Sequence, residues 1–327
     1  MSTARASIRL SSLTNPDLLS MQDLSPAEVS AILNLAAVVK ARPARFRHAL
    51  EGKQMVLMFE KPSLRTRLTF EAGMGALGGR SLFVDQTHSR IGERESLADV
   101  ARNLERWVDV IVLRTFSHQT VVEMAAHASI PVINGLSEVE HPCQALADYL
   151  TLQEKFRDLR RVRMAYVGDG NNVAHSLLLA AACLGSALTV ATPKGYEPGA
   201  AIVRAARELA AETGARIELT HDPKAAVKAA DAVYTDVWAS MGQEAEQEKR
   251  AAIFAPFQVN ARLMALAAPH AVFLHCLPAH RGSEVTDEVM DSPHSVVFDQ
   301  AENRMHVQKA ILLLLLGSDN SKGSAHA

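Results

Sequence analysis

The stretch KQMVLMFEKPSLRTRLTFEAGMGALGG, residues 53–79, decides the fold class. Met55 to Phe59 is an unbroken apolar run, short enough for a buried parallel strand. Pro62-Ser63 ends it, Leu68 to Leu77 reads as a helix, and Gly78-Gly79 closes that helix. Strand, polar turn, helix is therefore the unit, and outward from it the unit recurs. Upstream, Leu24 to Val39 reads as a helix, with Ser25 as its cap and Pro26 at its first position. Downstream come a strand-like Ser81 to Val84, a polar, helix-poor Asp85 to Glu95, and a helix around Leu97 to Trp107. Val108 to Leu113 and Ile130 to Ile133 read as strands around a helix at Val121 to Ala128.

The alternation then restarts. Strands are expected at Val162 to Val167, Ala187 to Ala191, Arg216 to Leu219, Ala230 to Thr235 and Val272 to Leu274. Helices are expected at Ala174 to Leu184 and Ala200 to Thr213. Such alternation marks βαβ units on parallel sheets. The expected class is α/β, with two domains, each a mostly parallel β-sheet flanked by helices, and the C-terminal helix packing back on the first domain. The divide falls inside a connecting helix near the polar stretch Glu154 to Arg161. It gives domains 8–150 and 151–317 and a flexible polar tail, 318–327.

A chain of 327 residues fits two medium domains, and 48% apolar residues suffice to fill their cores. A net charge of -2 argues against a general nucleic-acid binder. Cys143, Cys183 and Cys276 are odd in number and far apart, which fits neither a disulfide framework nor metal spacing and suggests a reducing compartment. The apolar run Ala310 to Leu316 is far short of the roughly 20 residues of a membrane span. The first residues lack a signal-peptide apolar core, so a cytoplasmic location is expected.

In open α/β sheets, ligands bind beyond the carboxyl ends of strands. Unusual polar residues cluster there. Lys61 to Arg67 opens a helix, whose free N–H groups suit a phosphate, with hydroxyls from Ser63 and Thr66 and a two-pronged Arg65. A capped helix start with solvent-facing arginines explains the same residues equally well, and Arg67 has Glu71 one turn on. Arg114-Thr115 ends a strand, where an arginine polarises a carbonyl or forms a surface ion pair. His141-Pro142-Cys143-Gln144 offers donors to a carbonyl and an amide, or else a buried core cysteine; no second ligand pair supports a metal.

Gly168-Asp169-Gly170-Asn171-Asn172 imitates a dinucleotide fingerprint, but Val173 replaces the third glycine and no acid closes the strand at Ala191. The paired asparagines suit a polar small molecule or a plain turn. Asp236 to Gly242 sets a carboxylate at a strand end, able to fix an ammonium group, before a Ser240-Met241-Gly242 stretch able to form a mobile flap. His275-Cys276-Leu277-Pro278 supplies a thiol for a reacting amine or a neighbouring carboxylate, unless Cys276 is merely buried. Arg304 is expected to precede a final helix.

Taken together, from about Leu24 to Leu316, these segments resemble the transcarbamylase family in order and spacing, and its ornithine branch most closely. Ser63 to Arg67 looks like the family's carbamoyl-phosphate loop, and His141 to Gln144 like its carbamoyl-recognition motif. Asp236 to Gly242 together with His275 to Pro278 point to the ornithine branch. The resemblance implies transfer of a carbamoyl group from carbamoyl phosphate to the side-chain amine of ornithine, in arginine metabolism. N-acetylornithine or putrescine as acceptor, or a non-catalytic metabolite-binding module, are the alternatives.

By resemblance, Ser63, Arg65, Thr66, the backbone of Leu64, Pro142 and Cys143 bind carbamoyl phosphate, while Arg114, His141 and Gln144 hold its carbamoyl group. Cys276 and Leu277 lie beside the reacting centre and Arg304 contacts the carbamoyl moiety. Asn172, Asp236, Ser240 and Met241 bind ornithine, and Asp236, Cys276, Arg114 and His141 form the catalytic set. The resemblance also implies a homotrimer whose sites are completed by a neighbour's loop, where Arg90 replaces the usual Gln. No cofactor, metal, nucleic acid or membrane is called for.

Overall fold

The computed structural model describes residues 13–86, 90–239 and 247–317. In the first half, strands β1 (Gln54–Phe59), β2 (Arg80–Asp85), β3 (Val110–Arg114) and β4 (Val132–Leu136) alternate with helices α1 (Pro26–Ala41), α2 (Leu64–Ala76), α3 (Leu97–Leu104), α4 (His118–His127) and α5 (Pro142–Phe156). In the second half are strands β5 (Arg163–Val167), β6 (Ala187–Ala191), β7 (Arg216–Thr220), β8 (Ala232–Thr235) and β9 (Val272–His275). Its helices are α6 (Asn172–Leu184), α7 (Ala200–Thr213), α8 (Pro223–Val227), α9 (Gln247–Phe254), α10 (Ala261–Met264), α11 (Asp287–Met290) and the long α12 (Val297–Leu316).

Each half builds one parallel sheet, ordered β2-β1-β3-β4 and β7-β6-β5-β8-β9. In the first, the chain leaves β1 toward one edge and returns to its other side as β3. In the second, it runs outward from β5 to β7 and returns beside β5 as β8. Both sheets therefore have a switch point, between β1 and β3 and between β5 and β8, where the connecting loops part and leave a crevice. The buried run of β3, apolar on both faces, is what a helix-covered parallel strand requires.

Caps fix where the helices begin. Ser25 and Glu28 form a reciprocal capping box, so α1 starts at Pro26. Ser63 Oγ accepts the Thr66 N–H at 3.2 Å, which starts α2 at Leu64. The final helix departs from expectation: α12 begins at Val297, so Arg304 lies two turns inside it rather than before it. Val296 provides no side-chain cap, and the first turns of α12 mix Val297, Ala301 and Met305 with polar residues. Helix α3 also stops at Leu104, short of Trp107.

Helix α5 crosses the expected divide and is buried from Pro142 to Leu152. One apolar core runs through it, taking in Leu33 of α1, Leu177 of α6 and Leu312 of α12. Helix α12 returns to pack on α1, α2 and α5, the first-half helices. Lys40 on α1 reaches Asn303 on α12 at 2.8 Å and Glu154 on α5 at 3.1 Å, pinning the three together. Among the described residues, no helix is long and apolar enough to cross a membrane.

Candidate active site

The two switch points face each other across a cavity of about 390 Å³, within the range of small-molecule sites. The first half contributes the Ser63–Thr66 turn after β1, Arg114 at the end of β3, and His141 and Gln144 after β4. The second contributes Asn172 after β5, Asp236 after β8, and Cys276 and Leu277 after β9. Arg304 enters from α12.

The first-half wall is a cation cluster. Arg304 Nη2 donates to Thr66 Oγ1 at 2.8 Å, and its Nη1 donates to Gln144 Oε1 at 2.7 Å. Burial, then the charges of Arg304 and Arg65, push the Arg114 guanidinium down to about 9. Burial likewise lowers Arg65 and Arg304 from the usual arginine range. Three guanidiniums crowded at the N-terminus of α2 lower the free energy of a bound dianion. The same surroundings hold His141 neutral: burial, then Arg304 and Arg114, push its imidazole well below the usual histidine range. Its backbone N–H is fixed on Ser176 Oγ at 2.9 Å.

The second-half wall is built around one carboxylate. Asp236 Oδ1 accepts the Cys276 thiol at 2.9 Å and the Val237 N–H at 2.8 Å, while Oδ2 accepts Asn171 Nδ2 at 2.7 Å. Burial, then the Asp236 charge, push the Cys276 thiol well above the usual range, so it stays protonated and donates. Leu277, next in the chain, holds a left-handed φ of 61°, a strained conformation outside glycine. Its N–H donates to His275 Nδ1 at 2.8 Å, so His275 carries its proton on Nε2, 3.3 Å from Glu284. The donor atoms of Asp236, His275 and Cys276 lie within 4.8 Å of one another, close enough for a metal. Both nitrogens of His275 are already engaged, on the Leu277 N–H and on Glu284, so its ring is turned to other partners than Asp236 and Cys276.

Other residues singled out in the sequence lie apart. Cys143 faces the core, its thiol toward the Asn134 carbonyl at 3.8 Å and pushed up to about 12 by burial. Pro142 is the first residue of α5, beside it. Arg90 is exposed, with its guanidinium 5.1 Å from the Phe116 ring centre. Arg67 pairs with Glu71 at 3.1 Å, as its spacing implies. Ser240 and Met241 fall outside the described residues.

Two residues of the site escape a reading by motif. Asn171 both caps α6 and holds Asp236; the adjacent asparagines signal polar contacts without saying which one bonds protein. Asn172 Nδ2 meanwhile donates to the Ser137 carbonyl at 2.6 Å, bridging the two halves across the cleft. Asp148, one helical turn after Gln144, accepts Gln144 Nε2 at 2.7 Å; the i, i+4 spacing is its only signal.

Two parallel-sheet halves, one presenting an anion-binding turn and the other a hydrogen-bonded carboxylate and thiol, define a group-transfer enzyme with sites for two small molecules. The models of the aspartate/ornithine carbamoyltransferase family match both halves: the carbamoyl-P binding domain over residues 16–154 and the Asp/Orn binding domain over 160–315. The chain is 53% identical over 311 residues to an ornithine carbamoyltransferase of Pyrococcus abyssi, covering 94% of this chain and 97% of that one. It is 50% identical over 305 residues to that of Bacillus subtilis, covering 93% and 95%. The solved ornithine carbamoyltransferase of Pyrococcus furiosus superposes with a TM-score of 0.91 at 52% identity, covering 94% of this chain and 99% of that structure. The chain belongs to the aspartate/ornithine carbamoyltransferase family.

Proposed function

We infer that this chain transfers the carbamoyl group of carbamoyl phosphate to the side-chain amine of L-ornithine, giving L-citrulline and phosphate. The observation that carries the reading is the opposition, across one cavity, of the Arg65–Arg114–Arg304 cluster and the Asp236–Cys276 pair. A phosphorylated donor fits the first wall and a cationic amine the second.

Carbamoyl phosphate needs charge stabilisation at its carbonyl oxygen and an amine held in line with its carbon. Thr66, Arg114 and neutral His141 polarise the carbonyl. Ser63, Arg65 and the N–H groups opening α2, including that of Leu64, take the charge of the departing phosphate. Gln144 and Arg304 orient the carbamoyl amide. Asn172 and Asp236 hold ornithine, with Ser240 and Met241 completing its site. The ornithine side-chain amine, with a pKa near ~10.4 by analogy with lysine, gives its first proton to solvent water before attack. A protonated thiol is no base, so Cys276 orients, donating to Asp236 while Asp236 faces the amine. As the new C–N bond forms, the C–O bond to phosphate breaks, and phosphate takes the second amine proton. From the protein, these steps use side chains and backbone alone.

The expected trimer remains part of this reading, with Arg90 reaching a neighbour's phosphate. Its support is that Arg90 lies outside its own cavity lining, while Leu64 at the cavity mouth is 69% exposed. A cytoplasmic location is proposed with it. The decisive assay measures citrulline from carbamoyl phosphate with ornithine, N-acetylornithine, putrescine or aspartate as acceptor. Ornithine should be preferred by orders of magnitude; equal rates with putrescine would reject the α-amino-acid site. Light scattering at assay concentration tests the trimer, which a fully active monomer overturns.

A further inference from the structure

Asp148 lies behind the carbamoyl side of the cleft, fully buried on α5. Its Oδ1 accepts two side-chain amides, Gln144 Nε2 and Gln300 Nε2, each at 2.7 Å. Both amides are committed at their other ends. Gln144 Oε1 accepts Arg304 Nη1 at 2.7 Å, and Gln300 Oε1 accepts the His275 backbone N–H at 2.9 Å. The chain of bonds thus runs from Arg304, through Gln144, Asp148 and Gln300, to the strand end that bears Cys276. It joins the donor wall to the acceptor wall.

The chemistry of each partner fixes the direction of every bond. A guanidinium only donates and an ionised carboxylate only accepts, so the Gln144 amide has one orientation between them. In that orientation Nε2 keeps one N–H beyond its bond to Asp148. Without an acceptor at 148 the amide is free to flip, which would turn its NH2 toward the Arg304 cation.

We propose that Asp148 is a positioning residue for carbamoyl transfer, locking the Gln144 amide against Arg304 and tying that geometry, through Gln300, to the His275–Cys276 strand end. This rests on the carbamoyl-transfer reading above. The lock also has a pH signature. Burial pushes the Asp148 carboxyl up to about 7, opposed by bonds from Gln144, Gln300 and the Tyr234 hydroxyl and by the Arg304 charge. The titratable groups facing it are Arg304 from α12, Tyr234 from β8 and Cys276 beyond β9, with Tyr149 on its own helix. Burial holds both tyrosines and the cysteine neutral, leaving Arg304 as the charged neighbour. Protonation of Asp148 near neutral pH weakens the acceptor that both amides need.

The test measures citrulline formation from pH 5.5 to 9 by the wild-type protein, Asp148→Asn and Asp148→Ala, with circular dichroism and melting temperature as controls. In the wild type, kcat should fall on the acid side with an inflection near 7. Asp148→Asn keeps an acceptor oxygen without titrating; it should retain kcat within about tenfold and lose that inflection. Asp148→Ala should lower kcat about 100-fold, the scale of a misplaced reacting group, with a smaller change in KM for ornithine. Wild-type kcat and pH profile in a folded Asp148→Ala protein would overturn the proposal. If Asp148→Ala does not fold, an inflection surviving in Asp148→Asn overturns it. Absence of citrulline from the wild type itself would instead reject the carbamoyl-transfer reading.

Discussion

The Cys276 thiol donates to Oδ1 of Asp236 across 2.9 Å, although 40 residues separate them in the chain. That bond has a consequence for reactivity. A thiol that donates to a carboxylate in a buried site resists ionisation, and only the thiolate is a nucleophile. Iodoacetamide should therefore alkylate Cys276 far more slowly at pH 7 than a free thiol, and rapid labelling would contradict the assignment. Cys276→Ser preserves a donor and Cys276→Ala does not. The alanine variant should show the larger rise in KM for ornithine, read from ornithine saturation curves, whereas KM for carbamoyl phosphate should move less.

Arg65 tests the other wall. It opens α2 half-buried, beside Arg114 and Arg304, so removing it takes charge from the anion site without excavating a core. Arg65→Ala should lower kcat/KM for carbamoyl phosphate by about 10²–10³-fold, the usual cost of one transition-state donor. Its melting temperature should stay within a few degrees of the wild type. Arg65→Lys keeps the charge without the two-pronged geometry and should fall between. Undiminished turnover in Arg65→Ala would remove the phosphate role.

Glu140 makes a prediction about stability. Its buried carboxylate accepts Ser20 Oγ, the Met21 N–H at 3.1 Å and Ser176 Oγ at 2.9 Å, and Ser176 holds the backbone of His141. Burial pushes its pKa above the usual carboxylate value despite those bonds. The folded protein therefore binds this proton more tightly than the unfolded chain. The contribution is present below the unfolded pKa and is lost as pH rises through the folded one, each tenfold difference in proton affinity being worth about 1.4 kcal/mol. Glu140→Gln removes that dependence. Its melting temperature relative to the wild type should climb between pH 5 and pH 8, and a constant difference would show that Glu140 does not titrate there.

The sequence shows where the site must be more readily than how it is wired. Apolar runs such as Met55 to Phe59 and Met164 to Val167 mark buried parallel strands because only a doubly covered strand tolerates them. Polar residues just beyond such runs then fall at the cleft. Partnership is another matter. Asp148 bonds Gln300, 152 residues away, and Asn171 bonds Asp236, 65 away, and no local periodicity encodes either pairing. Helix α12 is readable in its apolar second half alone, because the turns bearing Gln300 and Arg304 bury polar side chains in the network. Pattern reading takes buried polar residues for surface ones. The orientation of Cys143 is equally hidden, since α5 is buried on every side over its first three turns.

Gly170 gives the last prediction, because its role differs from the one its motif suggests. In Gly168-Asp169-Gly170 it stands where a dinucleotide fold would let a pyrophosphate approach the backbone. Here the close approach is made by the protein itself. A Cβ at 170 would lie 2.3 Å from the Pro198 nitrogen and 2.4 Å from the Glu197 carbonyl carbon, both backbone atoms. The Gly170 N–H meanwhile donates to the Tyr196 carbonyl at 2.9 Å, so the two segments are held together. Gly170→Ala must push the 196–198 segment away or displace the turn that carries Asn171 and Asn172. Overpacking of this kind costs about 1–3 kcal/mol. Asn171 holds Asp236, so the displacement should reach the acceptor wall: KM for ornithine should rise several-fold together with the loss of melting temperature. Gly195 offers the control, since it has a φ of 85° but open space around its Cβ position. Gly195→Ala should lower stability through backbone strain while leaving KM for ornithine unchanged. Equal effects on KM from the two variants would mean that Gly170 is only a turn residue.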